Sequence, residues 1–147
     1  MKKFYFQYDN ILEFKKKNEE SIKNRLGAAF SELEDEKKRL SELENNKHAC
    51  YDNMNKLMLH GTDIANLKVH DLFISKLNNK IELQTSSIYN CNSRIHQIRQ
   101  ELIKASKEVK VFEKLKEHHL VDHEYFEKKE EEKFIDQLVT YKYYQSK

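Results

Sequence analysis

A chain of 147 residues with no proline, no tryptophan and only two glycines has few places to turn, because turns draw on Gly, Pro, Asn and Asp. Charged residues make up 35% of it and apolar residues 38%, and 27 Lys and Arg are intermixed with 25 Asp and Glu for a net charge of +2. This composition predicts long helices in a single domain's length, lacks the one-signed stripe of a nucleic-acid binder, and holds no apolar run near the ~20 residues of a membrane span.

The chain opens on MKKFYFQYDN, which has the lysines of a secretory signal but neither its apolar region nor its small-residue cleavage site. Two lone cysteines, Cys50 and Cys91, suit a reducing compartment, so a cytoplasmic location is expected. Phe4, Phe6 and Tyr8 alternate and are placed to cover apolar residues near Phe112 and Leu115. Asn10 with Glu13 three residues on reads as a capping pair for the first helix, expected over about residues 9–59.

A heptad frame with a at Leu12 puts Leu26, Leu33, Leu40 and Met54 at later a positions, and Ile22, Ala29, Leu43, Cys50 and Leu57 at d. Ten of its fourteen a and d positions are apolar, a coiled-coil strand by pattern. Gly27 interrupts this helix only in composition and is expected to admit a close partner. At LHGTD, Gly61 suits a left-handed residue past a helix end, and Thr62 or Asp63 can cap the next helix. The turn is expected over about 60–63.

The second helix, expected over about 64–145, carries Leu67, Ile74, Ile81, Ile88, Ile95, Leu102 and Val109 at a, all apolar, and Leu77, Cys91, Ile98, Ala105 and Phe112 among its d positions. Two long helices joined by a short turn fold back antiparallel, with residue i facing roughly residue 122 − i at equal rise along both helices. The predicted fold is therefore all-α, a long two-helix antiparallel coiled-coil hairpin spanning 1–147. Cys50 and Cys91 then lie about 28 Å apart along the helix, beyond disulfide reach.

Past Phe112 the frame turns polar at Lys116, His119 and His123, while no helix breaker follows. A helical overhang of about 30 residues, ~45 Å long, is expected. It carries Leu115, Leu120, Val121, Phe126, Phe134, Ile135, Leu138, Val139 and three tyrosines, either a partner's contact surface or a frayed tail. His119 and His123 share one helix face, as in helical zinc sites. No third ligand is fixed beside them, and they read as exposed, partly basic helix residues. There is no glycine-rich phosphate loop, and a two-helix fold offers no water-excluding pocket, so neither catalysis nor a cofactor is expected.

The stretches FYFQYDNILEFKKKNEESIKNRLGAAFSEL and KASKEVKVFEKLKEHHLVDHEYFEKKEEEKFIDQLVTYKYY resemble the FliJ family of flagellar export proteins over nearly the whole chain. FEKLK (112–116), Tyr125 and Asp136 match that family's C-terminal pattern, whereas Glu132 stands where glutamine is usual and Gln137 where glutamate is. The resemblance implies a two-helix coiled coil similar to the central stalk of rotary ATPases, without enzymatic activity. Its implied partners are the hexameric export ATPase, the cytoplasmic domain of the membrane export gate, and export chaperones. It would act in the cytoplasm, peripheral to the inner face of the membrane. By the same resemblance Tyr125, Phe126, Phe134, Ile135, Asp136 and Leu138 are candidates for contact with the ATPase ring, and Leu43, Phe73 and Leu77 for the gate. Leu43 and Leu77 also fall in the seam, where core packing is the simpler role; Phe73 does not. The alternatives are the equivalent stalk of a virulence secretion system and a homodimeric coiled-coil scaffold running straight through residue 61.

Overall fold

In the computed structural model, which describes residues 2–146, the chain is two helices, α1 (Asp9–His60) and α2 (Ile64–Gln145). They pack against each other as an antiparallel hairpin, so the straight-through parallel scaffold does not apply. The chain divides into two compact units, one of Ile22–Glu101 and one of Met1–Ser21 with Leu102–Lys147.

The unit of Ile22–Glu101 contains the turn. Gly61 has φ of 85°, the left-handed conformation that costs a side chain-bearing residue about 1–2 kcal/mol. Asp63 then caps α2: its Oδ1 accepts the backbone N–H of Asn66 at 2.9 Å, satisfying one of the donors that every helix start leaves over. Ile22, Ala29, Leu33, Ile74, Leu77, Cys91, Ile95 and Ile98 are buried between the two helices here. On the flanks, Arg25 donates to Glu101 and Arg94 to Glu32, each at 2.8 Å, pairings that fit the antiparallel register. Cys50 is half-buried and Cys91 buried, both as free thiols.

In the unit of Met1–Ser21 with Leu102–Lys147, Val109 of α2 packs with Leu12 of α1 and Phe6 in one buried cluster, and Ala105 is buried as well. Lys15 reaches Glu108 at 3.0 Å and Lys116 reaches Asp9 at 2.8 Å. Both pairs are half-buried near the surface, where an ion pair is worth about 0.2–1 kcal/mol, while burying a Leu or Ile side chain is worth about 1.5–3 kcal/mol. The apolar seam therefore holds the helices together, and the ion pairs adjust its edges.

Every a and d position named by the two heptad frames is buried or half-buried, the polar ones included. Two of the polar positions are met across the seam: Lys15 by Glu108, and Glu36 by Gln84. Gly27 meets no close neighbour within this chain. It lies exposed within α1, and a Cβ placed on it would meet nothing within 4 Å, so no segment of this chain needs the missing side chain. The cap of α1 differs from the expected one, although the helix starts where expected. Leu12 N–H donates to the Tyr8 carbonyl at 2.9 Å, so the helix begins at Asp9, one residue before the expected cap at Asn10. Asp9 in the first turn interacts favourably with the helix dipole.

Candidate functional site

The polar end of the seam and the helix beyond it form the most distinctive surface of the chain, and it is built from the N-terminal residues outward. Residues 2–6 are non-helical and lie along α2 as an aromatic arm. Alternation turns Phe4, Phe6 and Tyr8 inward, leaving Lys3, Tyr5 and Gln7 exposed, the two-residue period of an extended segment. Phe6 is 3% exposed.

The bed of this arm is the histidine stretch. The Phe6 ring meets the His119 ring edge-on with centroids 5.5 Å apart, and Phe4 meets His123 at 5.5 Å. Tyr8 lies 6.5 Å from both Phe112 and His119. Lys116 places its ammonium 6.0 Å from the Phe6 ring while bound to Asp9. At the arm's end, the backbone N–H of Lys2 donates to Glu127 Oε1 at 3.1 Å, and His123 Nε2 donates to the Lys2 carbonyl at 3.2 Å. His119 and His123 are thus half-buried rather than exposed, because an imidazole offers both a flat apolar face to aromatic rings and a polar edge to backbone. Among the described residues no group of three or more His, Cys, Asp and Glu could hold a metal ion.

The arm also shortens the overhang. It covers α2 as far as Glu127, so the uncovered helix runs from Lys128 to Gln145, about 27 Å at the α-helical rise. Phe134, Ile135, Leu138, Val139, Tyr141 and Tyr144 are all exposed there. Of the candidate ring residues, Phe134, Ile135 and Leu138 share one side of the helix by their spacing, and Tyr125, Phe126 and Asp136 the other. Lys129 lies over the Tyr125 ring at 4.9 Å, and Tyr125 meets Phe126 edge-on. The candidate gate residues separate as well: Leu77 is buried and Leu43 half-buried in the seam, whereas Phe73 is 52% exposed. Near Phe73 in sequence, Leu59, Ile64, Val69 and Leu72 are exposed.

Reading the chain by its period missed Lys116, His119, His123 and Glu127 as structural residues, and only the alternation of Phe4, Phe6 and Tyr8 pointed toward them. No helix among the described residues is long and apolar enough to cross a membrane.

These features define a coiled-coil hairpin with a helical end that presents apolar side chains to its surroundings. The model of the family described as Flagellar FliJ protein matches residues 4–147. The chain belongs to that family, and its role lies in flagellar type III protein export. No curated protein and no solved structure matches it.

Proposed function

We propose that this protein is a non-enzymatic stalk and coupling component of the flagellar export apparatus, acting in the cytoplasm at the inner face of the membrane. The end of α2 enters the ring of the hexameric export ATPase and promotes its assembly and turnover. The observation that carries this reading is the uncovered stretch of α2, which stays helical to Gln145 and exposes large apolar side chains on several faces. Large apolar side chains grouped on an exposed helix mark a surface that other protein covers. Tyr125, Phe126, Phe134, Ile135, Asp136 and Leu138 are its proposed ring contacts. Phe73, exposed, is the proposed contact to the cytoplasmic domain of the export gate; Leu43 and Leu77 support it from the seam. Export chaperones are further partners on this reading.

The test is to mix the purified protein with its cognate ATPase and follow hexamer formation and ATP hydrolysis. Both rise with the native chain, and a Phe134→Ala/Leu138→Ala variant loses most of the effect. No rise, or identical behaviour of native chain and variant, removes the proposal.

A further inference from the structure

The paired part of α2 keeps an apolar row on the seam, and carboxylates at its edge meet cations of α1 in Arg25–Glu101, Lys15–Glu108 and Lys16–Glu113, whereas Arg94 and Lys116 pair in the opposite sense with Glu32 and Asp9. The same face of α2 continues beyond the arm. A shallow groove starts where Lys2 ends and is lined by Lys2, Glu127, Glu130, Glu131, Phe134 and Ile135. Helical spacing carries the row on from Phe134 to Leu138 and Tyr141. The apolar side chains are exposed, and Glu127, Glu130 and Glu131 outnumber Lys2 in the groove's lining, with no ion pair to Glu130 or Glu131 among the described residues. This stretch repeats the hairpin's seam with one side missing.

We propose that this face, from Glu127 to Tyr141, docks a partner surface that presents arginine or lysine beside an apolar row, in the way α1 meets α2. Continuity with the seam supplies the geometry, and the unmatched carboxylates supply the sign of charge. The inference deepens the ring reading above and rests on it for the partner's identity, while the chemistry of the face is independent. It adds Glu130 and Glu131 to the proposed contacts on the side of Phe134, Ile135 and Leu138. A second copy of this chain is disfavoured as the occupant, because the face is itself acidic.

The test uses the whole chain and two synthetic three-heptad helices with leucine at a and d, one carrying arginine and the other glutamate at e and g. Glu130→Lys and Glu132→Lys make the same change of charge at positions about 200° apart on the helix. Binding of the arginine helix about tenfold tighter than the glutamate helix, weakened about tenfold by Glu130→Lys and unchanged by Glu132→Lys, is the result expected for a charge-complementary face. Equal binding of the two helices, or equal effects of the two substitutions, overturns the proposal. So does a dimer of the native chain in sedimentation that Glu130→Lys abolishes, which assigns the face to a second copy. Repeating the two substitutions against the cognate export ATPase separates the questions: a face that discriminates between the helices but leaves ATPase binding unchanged keeps the docking chemistry and removes the ring as its partner.

Discussion

The side-chain amide of Gln84 reaches across the seam to Glu36, donating to its backbone carbonyl at 2.8 Å and also to its carboxylate. Arg39, one turn along α1, holds the same carboxylate at 2.8 Å. This polar layer sits at facing seam positions in an otherwise apolar row, and a single polar pair in such a row specifies register at a cost in stability. Gln84→Ala leaves a half-buried carboxylate short of a partner and is expected to cost about 1–2 kcal/mol. Replacing both residues by leucine is expected to raise the denaturation midpoint while broadening the distance distribution between spin labels at positions 26 and 96. A double-leucine chain less stable than Gln84→Ala contradicts this account of the layer.

The aromatic arm should be cooperative with its histidine bed. Phe6→Ala removes a buried ring and is expected to cost about 3 kcal/mol. His119→Ala should be coupled to it by about 0.5–1.5 kcal/mol, the range for edge-to-face ring pairs. A double-mutant cycle by chemical denaturation measures both. Strict additivity shows that the ring contact contributes nothing of its own.

Acid should weaken the hairpin partly through Glu108. The hydrogen bond from Lys15 and, next, its positive charge lower the Glu108 carboxyl below its ordinary value of 4.5, against a smaller opposing effect of burial. A carboxyl lowered in the folded state stabilises fully above its unfolded value, and that stabilisation fades as pH falls through the folded value. Glu108→Gln should therefore be less stable than the native chain at neutral pH, and the difference should shrink in acid. A difference that grows in acid reverses the sign and rejects the linkage.

The two glycines give opposite expectations. Gly27→Ala places a methyl group in open space within a helix and should stabilise by up to ~1 kcal/mol. Gly61→Ala must hold a side chain at φ of 85° and should destabilise by about 1–2 kcal/mol. Thermal melts of both variants check the pair; a destabilising Gly27→Ala means that a neighbour outside this chain needs the space.

The seam was readable because a heptad repeats over many turns, so that isolated polar residues such as Lys15 and Gln84 could not hide it. Gly61 was readable because a breaker stands out in a chain that has almost none. The arm was harder. Its alternation of Phe4, Phe6 and Tyr8 lasts barely five residues, and its bed of Lys116, His119 and His123 carries the polar residues that ordinarily end a seam. The period counts an imidazole as polar, although its ring packs against Phe6 as an apolar face does. In the candidate site, Phe134, Ile135 and Leu138 were legible as apolar residues without a partner. Their shared side with Glu130 follows from helical spacing, but no local pattern in the sequence carries the Lys2–Glu127 contact at which the covered part of α2 ends.

The central claim is that the uncovered end of α2 serves a partner and contributes nothing to the hairpin's own stability. Residues 128–146 are exposed along their whole length, so a chain ending at Glu127 tests it directly by thermal melting alongside stimulation of the cognate export ATPase. The account predicts an unchanged melting temperature and loss of stimulation. A truncated chain that stimulates the ATPase as well as the full one contradicts it.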